Sequence, residues 1–165
     1  MPRVAGLNVV AVAVAAIAFY AVGMVFYGFV FMETWGQEML VNHGADPAAA
    51  HALTGDALFA ELNKIPGSLD MATAYGLGFV VSLMTTIGIA IVLKMARPAS
   101  IVAALATALT LWLCFAVTGL AYNVLYSTES KTIFMIDMGH LLVAFLLSSA
   151  VLFLIDGKAL KGAAA

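Results

Sequence analysis

The sequence predicts an all-α membrane protein: a four-transmembrane-helix bundle with a short amphipathic helix or helices in the first outer loop. Three observations carry that prediction. Of the 165 residues, 64% are hydrophobic and only 10% charged, with a mean hydropathy of +1.08, a balance foreign to a soluble core. Four apolar stretches each reach the roughly 20 residues needed to cross a hydrocarbon layer of about 30 Å. The basic residues then sort to two sides, as alternating spans require. A transmembrane β-barrel would show weaker, alternating segments instead. The whole chain, 1–165, reads as one transmembrane domain.

Helix one is predicted over about 6–31. Arg3 before an apolar run resembles a leader, but the run from 7 to 31 is too long for a cleaved apolar region, so a retained helix is expected. Ala16, Tyr20, Gly23 and Tyr27 recur at helical spacing and share one face with two phenolic hydroxyls. That face reads as packing with a tyrosine belt or, with Ser148, as the lining of a pathway. Trp35, past the exit, suits an interfacial anchor.

The connection over 32–69 is too long to lack structure. Asp46-Pro47 is a good helix start, a capping oxygen followed by proline at the first helical position. Leu53, Ala57, Leu58, Leu62 and Ile65 then form an apolar stripe, interrupted near Thr54-Gly55 and stopped at Pro66-Gly67. His43 and His51 lie here without tight metal-ligand spacing and read as solvated surface histidines.

Helix two, about 70–96, carries Gly78, Ser82, Thr86 and Ala90 at four-residue spacing. Small residues at that spacing let helices approach closely in lipid, so this is a packing face. Pro98, after Lys94 and Arg97, stops the helix. Helix three, about 100–126, places Trp112, Ala116, Gly119, Asn123 and Tyr126 on one face. Its single cysteine, Cys114, sits in an apolar run and reads as a packing residue. A short turn makes helices three and four antiparallel neighbours. Helix four, about 132–155, is followed by Asp156, Lys158, Lys161 and an alanine-rich tail expected to fray.

Arg3, Lys94, Arg97, Lys158 and Lys161 fall on one side and Lys64 and Lys131 on the other. Both termini are therefore expected in the cytoplasm and the long loop outside. Leu69-Asp70-Met71-Ala72 and Ile136-Asp137-Met138-Gly139 hint at an internal repeat of two hairpins. A net charge of −2 without a basic cluster gives no case for nucleic acid.

The chemistry-bearing stretch is Ile136-Asp137-Met138-Gly139-His140, a carboxylate and an imidazole on one face inside an apolar run. A lipid-facing carboxylate would cost about 2.5 to 3.5 kcal/mol at mid-depth, so the pair must point into protein. Counting outward from the turn puts Asn123 near the height of Asp137, which makes Asn123, Tyr122 and Tyr126 the expected partners in a polar network with Asp137 and His140.

Asn8, the aromatic exit Phe26-Tyr27 with Phe31 and Trp35, Ala121-Tyr122-Asn123 and the 136–140 stretch together resemble a widespread family of small four-helix bacterial membrane proteins, catalogued only as a domain of unknown function. The resemblance covers most of the chain and is strongest over 111–147. Phe26-Tyr27-Gly28 departs from its more usual tryptophan-tyrosine and proline, and the outer loop is long. The resemblance implies a four-helix fold in a bacterial inner (plasma) membrane, and no activity.

Three readings of the pair follow. In the structural one, the network fixes the bundle within a homo-oligomer or an accessory subunit of a larger complex. In the transport one, Asp137 and His140 relay a proton or bind a cation on a path lined by Tyr20, Tyr27 and Ser148. In the cofactor one, His140 is an axial ligand to haem or chlorin, although a single intramembrane histidine argues against it and no cofactor is predicted. No enzyme signature is present: HExxH and a phosphate loop are missing, and Cys114 has no nearby base. Asp137 and His140 supply at most two metal ligands, so no metal site is predicted.

Overall fold

The computed structural model describes residues 2–127 and 129–160. The chain starts in a small hairpin, not in helix. β1 (Arg3–Val4) pairs antiparallel with β2 (Leu7–Asn8), and Ala5 and Gly6 between them have φ of 51° and 77°. Two consecutive left-handed residues are what a tight hairpin turn needs and what a helix cannot tolerate. The first helix therefore begins at α1 (Val9–Val25), where the Asn8 side chain accepts from the N–H groups of Val10 and Ala11 at 3.1 and 3.3 Å.

The first span runs from α1 into a π-helical turn, Phe26–Val30, and breaks at Phe31. Three helices then form the outer segment: α2 (Met32–Asn42), α3 (Pro47–His51) and α4 (Gly55–Leu62). Asp46 caps α3 through its bond from the Ala49 N–H at 2.9 Å. Leu40, Ala50 and Leu58 make a separate small core, and Gln37 ties α2 to the Leu53 carbonyl at 2.9 Å. Gly36 lets Leu58 approach so closely that a Cβ there would meet its side chain at 3.0 Å.

The second span is α5 (Met71–Ala96), capped by Asp70 and ended by Arg97 in the left-handed conformation. The third comprises α6 (Ile101–Leu111), a second π-helical turn at Trp112–Val117, and α7 (Thr118–Tyr126). The fourth is α8 (Lys131–Leu160). It runs five residues past the predicted end at 155, so Asp156 lies within the helix, where Arg3 and Asn8 hold its carboxylate. Lys161 and the alanine-rich tail lie outside the described residues. Four of these stretches, Val9–Val30, Ala72–Ala96, Ile101–Tyr126 and Lys131–Gly157, are long and apolar enough to cross a membrane.

α8 is the central helix. α1 packs along both α8 and α5, α5 also reaches α8, and α6 packs chiefly on α8. Adjacent serines show how α8 lies between its neighbours: Ser148 donates to the Ala15 carbonyl of α1 at 3.1 Å, and Ser149 to the Ala104 carbonyl of α6 at 3.5 Å. Ala11, Ala15, Ala90, Ala104, Ala108 and Ala144 are almost wholly buried in the shared core, so the backbones approach over small side chains. Ser82, Thr86 and Ala90 of the small-residue face of α5 are buried, and Tyr20 packs over Gly78.

Candidate functional site

Tyr27 stands in the first π-helical turn and faces the second turn of α8. Its hydroxyl donates to Asp137 Oδ1 at 2.6 Å and lies 3.3 Å from His140 Nδ1. A phenol has one proton, and here the carboxylate receives it, so the second contact requires Nδ1–H to be the donor. A chain of hydrogen bonds then runs from His140 through Tyr27 to Asp137. The residues are half-buried. Phe19, Phe26 and Tyr27 surround the imidazole with ring centroids 6.0, 5.8 and 5.1 Å away, and Trp35 packs edgewise on Tyr27 at 5.6 Å.

The opposite side of α8 meets the second π-helical turn. Trp112 at its head donates its indole N–H to the Met138 carbonyl at 3.0 Å, while Phe26 of the first turn packs over Gly139. Each π turn thus presents an aromatic side chain to the same stretch of α8. Such turns place one extra residue in the helix and recur at functional sites. On the imidazole's other edge, Gly23 admits Nε2 so closely that a Cβ there would sit 3.2 Å away.

The outer segment closes over this end of α8. The Ser130 hydroxyl bonds Glu38, and the Ser130 N–H donates to Asn42 Oδ1 at 3.1 Å. His51 Nε2 lies 3.4 Å from Glu38, and His43 bonds the Met39 carbonyl of its own helix at 2.8 Å. Among the described residues, no group of three or more His, Cys, Asp or Glu side chains is arranged to hold a metal ion. Glu129, just before α8, has an enclosed carboxylate oxygen.

The model of the family described as "Protein of unknown function (DUF1761)" matches residues 10–153. The chain belongs to that family. No curated protein and no solved structure matches it. The part of the chain shared with DUF1761 includes Tyr27, Asp137, His140 and both π turns, and leaves out the terminal hairpin and Asp156. With four apolar helices of spanning length, this DUF1761 member is an integral membrane protein.

Asp137 and His140 face inward together, but the partners expected for them on the third span do not reach them. Tyr122 and Tyr126 are 62% and 76% exposed and stack on each other at 5.5 Å, and Asn123 is exposed as well. The cause is the second π turn. In an unbroken helix Trp112 and Asn123 share a face, whereas one inserted residue rotates everything beyond it by roughly 100°. Trp112 consequently meets α8 and Asn123 turns away.

Tyr20 and Tyr27 also separate: Tyr20 bonds the Tyr75 carbonyl of α5 at 3.2 Å, while Tyr27 serves α8. Ser148 is fully buried in its bond to Ala15. Asp70 and Asp137 match in sequence but not in role, since Asp70 is an exposed helix cap bonded to Thr73. Sequence reading missed Trp112 as a site residue and placed Tyr27 on a packing face with a tyrosine belt or on the lining of a pathway, not beside Asp137. Tyr27 stands beside Gly28, whereas the Trp112–Val117 turn contains no glycine, so no shared glycine signal marks the two.

Proposed function

We propose that this protein is a structural or accessory subunit of a membrane assembly, built from copies of itself or joined to a partner. In this reading Tyr27, Asp137 and His140 form the clamp that fixes α1 against α8. The observation that supports it most is a set of four side-chain donors that reach across helices. Tyr27, Trp112, Ser148 and Ser149 all bond to a helix other than their own, in a medium where polar groups must find protein partners. The host membrane is the bacterial inner membrane with both termini cytoplasmic, a reading supported by Arg3, Lys94 and Arg97 at the end of the bundle where α1 begins. Native mass spectrometry of the gently extracted protein tests the proposal. A discrete oligomer or a retained partner is expected, and a bare 17.2 kDa monomer under all mild extractions would overturn it.

A second reading, proton- or cation-linked transport, is favoured by the relay from His140 through Tyr27 to Asp137 and by the nearby Glu129. Against it, Phe19, Val22 and Phe145 pack the interior beyond His140. Asp137→Asn and His140→Ala would abolish flux in liposomes under this reading, and unaltered flux would remove it. Axial ligation of haem or chlorin by His140 would require α1 to withdraw, because Nδ1 meets Tyr27 and Nε2 meets Gly23. A visible absorption spectrum without a Soret or chlorin band would dispose of that idea.

A further inference from the structure

An open groove of about 1070 Å3 runs between the terminal hairpin, α1 and α5. Its walls are apolar, with Leu7 and Val12 facing Leu83, Ile87 and Ile91, and its mouth carries Lys94 and Arg97. We propose that it is a lipid site selective for an anionic glycerophospholipid, one acyl chain lying along the wall and the phosphate held by Lys94 and Arg97.

Charge, position and length support that occupant. Arg3, at the same end, is already paired with Asp156, whereas Lys94 and Arg97 have no carboxylate partner among the described residues. The Lys94 ammonium is fixed at the mouth by the Ala5 carbonyl at 2.8 Å, and Gly6 leaves room for it, since a Cβ there would lie 2.2 Å from Nζ. Arg97 follows directly, exposed, at the left-handed end of α5 (φ 48°). The spanning segment ends at Ala96, so both cations stand at headgroup level while the walls reach inward. Leu83 and Lys94 are 11 positions apart in α5, about 16 Å along the helix, which matches half of a hydrocarbon layer of about 30 Å. Bulk lipid also wets such a groove, but only a built cationic mouth selects among headgroups.

The test is native mass spectrometry of the delipidated full-length protein titrated in detergent with phosphatidylglycerol or phosphatidylcholine of equal chain length. Phosphatidylglycerol should be retained preferentially, and the Lys94→Gln, Arg97→Asn double variant should lose that preference by roughly thirtyfold. Arg97→Asn alone keeps the Lys94 bond to the hairpin and a residue that tolerates left-handed backbone. It should cost about fivefold while leaving thermal unfolding unchanged. Free glycerol phosphate, which has the anion without the chains, should not compete. Equal retention of the two lipids, an unaffected double variant, or full competition by glycerol phosphate would each overturn the proposal.

Discussion

Tyr27 is the residue on which the polar site turns, because one hydroxyl serves a carboxylate and an imidazole that approach from another helix. Tyr27→Phe keeps the ring against Trp35 and His140 and removes only the bonds. It should lower stability in detergent by about 1 to 2 kcal/mol, read as a drop in the thermal midpoint; an unchanged midpoint would show the bonds to be idle. Gly23 gives an independent check at the same spot. A helical Gly→Ala change ordinarily gains about 1 kcal/mol, and Gly76, with open space around it, should show that gain. Gly23→Ala should instead be neutral or destabilising, since its methyl would press on His140 Nε2 at 3.2 Å. Equal gains at the two glycines in chemical denaturation would contradict the packing described for the imidazole. The inward orientation of Asp137 and His140 was legible from the cost of placing charge in lipid. Their partner was not, because height along a span is countable from sequence and azimuth is not.

At the scale of elements, the spans were legible and their interruptions were not. A π turn adds no charge and alters no hydropathy, so 26–30 and 112–117 read as ordinary helix. Its consequence is geometric, a rotation that sends Asn123 outward while Trp112 still meets α8. The caps show the opposite case, where local chemistry is written in the residue. Asp46, Asp70 and Ser100 each accept from the N–H three positions on, at 2.9, 3.0 and 3.2 Å. At Asp70, the Thr73 hydroxyl and then its N–H hold the carboxyl below its usual range. A pKa lowered by folding means that the cap's contribution is present above the unfolded carboxyl value and is lost as pH falls through the folded one. The protection of the Thr73 amide, its exchange rate relative to that of the unfolded chain at the same pH, should therefore fall in acid, and Asp70→Asn should flatten that dependence; an identical loss of protection in the variant would refute the assignment.

The whole molecule is a bundle assembled around α8, closed at one end by a hairpin that the hydropathy pattern did not describe and at the other by short outer helices, of which α3 and α4 were legible in the Asp46-Pro47 start and the apolar stripe over 53–65. At one end the hairpin bonds α8 through Arg3 and Asp156 and α5 through Lys94. At the other, α2, with α3 and α4 packed on it, covers the start of α8 through Glu38 and Asn42, which bond Ser130. The hairpin was illegible because apolar Val4 and Leu7 blend into the following span, while its turn depends on backbone angles at Ala5 and Gly6. Asp156→Asn should free it, seen as faster exchange of the Val9 amide, which now donates to the Pro2 carbonyl at 3.0 Å. No change there would mean that the Lys94 bond alone holds the hairpin.

Tyr27 and Asp137 clamp α1 to α8. A double-mutant cycle on Tyr27→Phe and Asp137→Asn, read by reversible unfolding in detergent, measures that clamp. A coupling of about 1 kcal/mol is expected for residues in direct contact, and strict additivity of the two single changes would contradict the clamp.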